Sequence, residues 1–311
     1  MTKLSPLASP SATRAVLESH GLATKKALGQ NFLVNDAILA KIIDLADVAE
    51  SDFVLEVGPG IGTLTIALLK HAGHVISVER DKDLPQVLEE TLASWADRFV
   101  LIGKDALGLT SADLAVAAEQ LGIIRGDDER SLPNKFVANL PYAVAATLVL
   151  DYFERFESLE SATVMVQAEV ADRMAAKIGT KNYGSYTVKL SMFAEPAGRF
   201  SVSPGNFFPP PRVESSVLRL NRRIPVDDSG APLDSDTVKA ACVMADAAFA
   251  SRRKTIANSC KTYFAGRGEA GARAIEALPA LFARAGIDSG RRGESLSHAE
   301  FVRLGTEFAR L

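Results

Sequence analysis

The chain has 311 residues, 47% of them hydrophobic and 23% charged, and a net charge of −3; this is the balance of an ordinary globular protein. No apolar run reaches the roughly 20 residues needed to span a bilayer, and Met1 to Pro10 lacks the apolar centre of a secretion signal. Its two cysteines, Cys242 and Cys260, form neither a disulfide framework nor a metal-ligand pattern, and point to a reducing cytoplasm.

The charge is uneven. Residues 221–311 carry +3 and residues 1–220 carry −6, so any nucleic-acid contact is expected on a local basic patch and not from overall charge. Residues 1–20, rich in Ser, Ala and Pro, are expected to be a loose lead-in. The stretch Thr24–Leu33 is basic, then polar, then apolar, without a period. On composition alone, Gln30 and Asn31 read as loop residues before a helix. Asp36 is expected to N-cap that helix, with Ile38, Leu39, Ile42, Ile43 and Leu45 on helical spacing.

Phe53–Val57 reads as a strand that runs into Gly58-Pro59-Gly60-Ile61-Gly62 and then a helix to about His71. A glycine turn between strand and helix lets a ligand approach the backbone. The spacing is G-x-G-x-G, not the G-x-G-x-x-G of dinucleotide-binding proteins. A second strand, His74–Glu79, ends in an acid 21 residues after Gly58, where a carboxylate can accept from ribose hydroxyls. A helix from about 83 to 95 leads to a third strand, Phe99–Ile102, followed by Asp105, an acceptor for an adenine amine. A glycine turn and two acids at successive strand ends point to a nucleoside pocket. The β-α alternation predicts a mainly parallel sheet with helices on both faces.

A helix near 111–121 and the polar loop 125–130 precede a fourth strand, Lys135–Ala138, which delivers Asn139-Leu140-Pro141-Tyr142. These residues suit an exocyclic amine on a flat base. The Asn side-chain oxygen accepts one N–H, the segment around proline presents carbonyls, and Tyr142 offers a stacking face. A helix at about 143–156, a fifth strand at 162–166, a stretch of helical spacing over 167–176, a further segment over 183–193, and closing strands at 200–203 and 215–220 follow. Between the last two, Pro209-Pro210-Pro211 stiffens the chain beside Phe207 and Phe208, one of which is a candidate for the other face of a base sandwich. Residues 221–236 read as a linker. The remainder is helical by pattern, and its basic cluster Arg252-Arg253-Lys254 suits phosphate contact.

Taken together, the segments Leu28–Leu33, Leu55–Thr65, Asn139–Tyr142, Gln167–Arg173, Phe208–Ser215 and Phe249–Thr255 resemble the small-subunit ribosomal RNA adenine N6,N6-dimethyltransferase family. The combination, in order along the chain, is specific; no single segment is. The resemblance implies an α/β, Rossmann-like S-adenosylmethionine-dependent methyltransferase domain over 21–222 and a small all-helical domain over 223–311 that contacts RNA. It implies a cofactor site at Asn31, Leu33, Gly58, Glu79, Asp105 and Asn139, and it replaces the loop reading of Asn31. Beside that implication, the residues themselves suggest an adenine site at Asn139, Leu140, Pro141 and Tyr142, with Phe207 opposite, and RNA contact by Arg252, Arg253 and Lys254. The implied partner is ribosomal RNA in an immature small subunit, with the protein a cytoplasmic monomer and no metal. Two alternatives stand beside it: an assembly factor that works mainly by binding, and an erythromycin-resistance-type enzyme acting on large-subunit RNA. The chain departs from the family after the tyrosine, with Ala143-Val144-Ala145 where Asn-Ile-Ser is common; residues 1–20 and 125–130 look like local additions.

Overall fold

A computed structural model describes residues 3–25, 29–123 and 131–311. The polar loop 125–130, read above as a local addition, and Leu28 lie outside the described residues. The chain divides into two compact units. One holds the chain up to Ala171 together with Pro196–Asn221; the other holds Asp172–Glu195 and Arg222–Leu311.

The first unit is built on a seven-stranded sheet. Its strands are β2 (Phe53–Val57), β3 (His74–Glu79), β4 (Phe99–Gly103), β5 (Lys135–Asn139), β6 (Ser161–Gln167), β7 (Ala194–Val202) and β9 (Ser215–Arg222), in the order β4-β3-β2-β5-β6-β9-β7. The pairs β2–β3, β3–β4, β2–β5 and β5–β6 are parallel, and β6–β9 is antiparallel. This is the expected Rossmann-like α/β arrangement. β2 is buried along its whole length, as a central parallel strand covered on both faces must be. From β2 the chain winds outward through β3 and β4, then crosses back to place β5 on the other side of β2. The order therefore reverses between β2 and β5, where open α/β sheets form a ligand crevice.

Helix α2 (Asp36–Ala46) shows the first correction. Its N-cap is Asn35, whose side chain accepts from the Ala37 N–H at 2.9 Å. Asp36 instead ties down the start of the chain. Its carboxylate accepts from the backbone N–H groups of Leu4 at 3.1 Å and Ser5 at 3.0 Å. That tether overturns the loose lead-in. Helix α1 (Pro10–Ser19) is capped by Ser9. Leu7, Ala8 and Leu17 join the core of the first unit, and the buried Thr13 hydroxyl donates to the Leu7 carbonyl. A two-stranded ribbon, β1 (Phe32–Leu33) with β8 (Phe207–Phe208), lies outside the main sheet; in it Leu33 faces Phe207 and Phe32 faces Phe208.

The second unit is helical: α8 (Ser185–Ser191), α9 (Ser235–Phe249), α10 (Ile256–Phe264), α11 (Gly268–Arg284) and α12 (His298–Phe308). Tyr183, Val188 and Met192 share one core with Met244, Ile256, Leu281 and Phe301. For this reason residues 172–195 pack with the C-terminal helices, whereas the sequence reading placed them in the first domain. Small residues let α9 and α12 approach closely: a Cβ on Gly305 would lie 2.6 Å from the Ala241 Cβ. No helix among the described residues is long and apolar enough to cross a membrane.

Candidate active site

The strand ends at the point of reversal line a cavity of about 520 Å³, within the usual range for a small-ligand site. It gathers Asn31, Leu33, Gly58, Glu79, Asp105, Asn139, Leu140, Pro141 and Tyr142. All belong to the first unit.

Gly58 follows β2 with φ +72°, a conformation that glycine adopts without strain. Its N–H donates to the Val78 carbonyl, 2.9 Å away. A Cβ here would come within 3.8 Å of both the Asn139 carbonyl oxygen and the Pro141 ring, filling the gap between the ends of β2 and β5. Gly60 is more constrained: at φ +59°, its Cβ would fall 2.9 Å from Phe32 Cε1. The glycine turn is therefore packed directly against β1.

Glu79 ends β3. Burial raises its carboxyl pKa, against hydrogen bonds from the Asp81, Arg80 and Gly60 N–H groups that lower it. Asp105 follows β4 and is exposed. One carboxylate oxygen accepts from the Leu107 N–H at 3.0 Å, and the other lies 3.4 Å from the Arg80 guanidinium. These two acids offer acceptors at two places along one crevice, the pattern that a nucleoside's ribose hydroxyls and base amine require.

Asn139 ends β5 and is half-buried. Its side-chain Nδ2 donates to the Asn31 carbonyl at 3.1 Å. With the donor side engaged, the side chain presents Oδ1 as an acceptor. The Leu140 N–H donates to the Met165 carbonyl, and the Pro141 carbonyl accepts from the Val144 N–H at 3.2 Å. The Pro141 carbonyl thus closes the turn into helix α6 (Ala145–Arg155), and Leu140 is the better candidate for the second free carbonyl. Val144 stands at the N-cap of α6 without a side-chain cap bond, which fits the apolar departure from the family pattern at 143–145. The Tyr142 hydroxyl shares a 2.6 Å hydrogen bond with Ser215, which is fully buried on β9. Burial pushes the Tyr142 pKa up.

Phe207 does not belong to this site. It is 3% exposed, lies in the core, and pairs with Leu33. The neighbouring Phe208 is only half-buried, with the Arg14 guanidinium over its ring. Of the aromatic residues considered for stacking, Tyr142 lines the cavity, and Phe207 and Phe208 do not. Arg252, Arg253 and Lys254 are exposed in a turn after α9, in the second unit. Arg252 donates to the Lys181 carbonyl and lies 3.9 Å from the Glu294 carboxylate.

The cavity also holds a residue the sequence reading passed over. Glu56 is 1% exposed on β2; one of its oxygens accepts from the hydroxyls of Thr65 and Ser77, each at 2.7 Å. Burial pushes its carboxyl up to about 7. The available signal was an acid inside an otherwise apolar strand, two residues before the glycine turn. Among the described residues no group of His, Cys, Asp or Glu is placed to hold a metal.

The family model described as ribosomal RNA adenine dimethylase matches residues 21–276. The chain belongs to this family. The ribosomal RNA small subunit methyltransferase A of Enterococcus faecalis is 38% identical over 304 residues, covering 98% of this chain and 97% of that protein. The protein of the same description from Shouchella clausii is 39% identical over 302 residues, covering 96% and 94%. Among solved structures, a dimethyladenosine transferase from Plasmodium falciparum superposes with a TM-score of 0.71 at 22% identity, covering 90% of this chain and 98% of that one. The 23S rRNA methyltransferase ErmE superposes at 0.62 with 23% identity, covering 89% and 99%. At those identities, both likenesses speak for the fold.

The adenine dimethylase site fits S-adenosylmethionine on its own geometry. Its polar lining is two carboxylates, which accept from ribose hydroxyls and the adenine amine, together with backbone groups, and a Cβ at Gly58 would occupy the gap between the ends of β2 and β5.

Proposed function

We propose that this chain transfers methyl groups from S-adenosylmethionine to the N6 amine of adenines in small-subunit ribosomal RNA, giving N6,N6-dimethyladenine. The observation that carries the reading is Asn139, whose amide nitrogen is held by the Asn31 carbonyl, which leaves Oδ1 as an acceptor in the cavity that Leu140 also lines. Glu79, Asp105, Gly58, Asn31 and Leu33 hold the cofactor. S-adenosylmethionine, when bound, supplies a methyl group activated on a sulfonium.

Asn139 Oδ1 and the Leu140 carbonyl accept the two N–H bonds of the target amine. This turns its lone pair out of the base plane and toward the methyl, and the two oxygens stabilise the positive charge that grows on nitrogen. Tyr142, its hydroxyl anchored by Ser215, stacks on the base. Transfer is an in-line displacement, so most of the rate comes from positioning. No base is needed before attack, because the amine becomes acidic only once methylated. After the first transfer the methylated, positively charged amine would release one proton to solvent, leaving one N–H for the two acceptors, and a second turnover with fresh S-adenosylmethionine would complete the product. The target base enters unstacked or from a single-stranded segment.

The exposed turn Arg252-Arg253-Lys254 supports a phosphate contact by the second unit, with an immature small subunit as the substrate and a cytoplasmic monomer as the working form. It equally favours a role as an assembly factor. Labelled methyl from S-adenosylmethionine should enter purified small subunits that lack the modification, and not large subunits or naked DNA. Label in large subunits would move the assignment to the resistance-type enzymes. Full restoration of subunit maturation in a deletion strain by Asn139→Ala would make binding the main role.

A further inference from the structure

A hydrogen-bonded path joins the end of β3 to the Asn139 side chain without passing through the sheet. The Asp81 N–H donates to Glu79 Oε1 at 2.8 Å. Asp81 is 6% exposed, and both its oxygens are occupied: Oδ1 by Lys25 Nζ at 2.6 Å and Oδ2 by Gln30 Nε2 at 2.7 Å. Gln30 Oε1 accepts from the Lys25 N–H at 2.9 Å. One peptide further on, the Asn31 carbonyl accepts from Asn139 Nδ2 at 3.1 Å. A buried carboxylate with every partner in place is a fixed point, and here it fixes the segment that aims Asn139.

We propose that Gln30 and Asp81 are positioning residues for methyl transfer, holding the Asn31 carbonyl where it turns Asn139 Oδ1 toward the target amine; this rests on the adenine-methylating reading above. Glu79, at the cofactor end of the cavity, and Asn139, at the amine end, then share one rigid connection. Gln30 lines the cavity with its side-chain amide bound to Asp81, which lies outside the lining. Each acts through the Asn31 peptide, and a misplacement of about 1 Å at a reacting group is enough to lower a rate 100-fold.

The experiment is a polarity swap. Gln30→Glu sets a second carboxylate against Asp81 and removes the amide donor; adding Asp81→Asn restores a donor–acceptor pair with the roles exchanged. Two readouts are taken on each variant: kcat with the S-adenosylmethionine dissociation constant, and the Asn139 side-chain amide resonances, assigned from their loss in Asn139→Ala. Gln30→Glu should shift or broaden those resonances and lower kcat about 10- to 100-fold. The change in the cofactor dissociation constant should be smaller than the loss in kcat, since Glu79 and Asp105 are not substituted and Asn31 is displaced only through its peptide. The double variant should recover both readouts. Unmoved Asn139 resonances in Gln30→Glu, a loss confined to cofactor affinity, or a double variant no better than the single one would overturn the coupling. A wild-type protein that methylates no RNA would defeat the functional reading alone, because the amide resonances still decide whether Gln30 and Asp81 hold Asn139.

Discussion

Asn139→Ala separates positioning of the amine from binding of the cofactor. The substitution removes two things. One is the 3.1 Å bond to the Asn31 carbonyl, a net loss of about 1 kcal/mol of stability for a half-buried pair. The other is Oδ1, one of the two acceptors proposed for the amine as it becomes positive. Removing one preorganised hydrogen-bonding group from a reaction centre costs about 100- to 1,000-fold in rate, or roughly 3–4 kcal/mol of barrier. Cofactor affinity should fall far less, because the acids at the ends of β3 and β4 remain. Single-turnover methyl transfer to undermethylated small subunits gives the rate, and calorimetric titration with S-adenosylmethionine gives the affinity. Asn139→Asp is the companion: it keeps an acceptor toward the amine but turns an oxygen against the Asn31 carbonyl, and should fall between wild type and Ala. The reasoning fails if Asn139→Ala retains its rate within about fivefold, or if the whole loss appears in cofactor affinity.

Three further outcomes are expected. Gly60→Ala should cost about 1–2 kcal/mol from its left-handed backbone alone, and more where the new Cβ meets Phe32 at 2.9 Å; urea unfolding within about 0.5 kcal/mol of wild type would contradict this. The Glu56 carboxyl, at about 7 in the folded chain against an ordinary 4.5, binds its proton more tightly folded than unfolded. Stability should therefore drop as pH rises from 4.5 through 7, by about 3 kcal/mol in all. Glu56→Gln should remove that slope in cofactor-free protein, and equal pH dependence in the two proteins would refute the assignment. Asp36→Ala releases the Leu4 and Ser5 N–H groups, so amide exchange there should accelerate at least tenfold, about 1.4 kcal/mol of local protection; unchanged protection would show that the Leu7 and Leu17 packing suffices.

Strands β2, β3 and β5 were legible because each is a short, largely apolar run closed by a glycine, an acid or an amide, and those closing residues, Gly58, Glu79 and Asn139, line the cavity. Contacts between distant parts of the chain were not. Nothing in the composition of residues 1–20 announces a partner at Asp36, and capping by Asn35 in place of Asp36 follows from that same tether. The start of β7 escaped notice because Glu195, Pro196 and Gly198 do not read as strand; an edge strand tolerates them. Of two adjacent phenylalanines, strand alternation sends one inward, and only burial in the folded chain shows that it is Phe207. Gln30 resembled a loop residue because its partner, Asp81, is 51 positions away.

The most direct test of the account is the identity of the nucleoside made. Small subunits lacking the modification are incubated with the purified protein and S-adenosylmethionine, and their RNA is digested and analysed by mass spectrometry. The account predicts N6,N6-dimethyladenosine as the end product, with N6-monomethyladenosine as its transient precursor. Methylation at a ring nitrogen, a ribose oxygen or a base other than adenine would contradict it, because the proposed acceptors, Asn139 Oδ1 and the Leu140 carbonyl, call for an exocyclic amine.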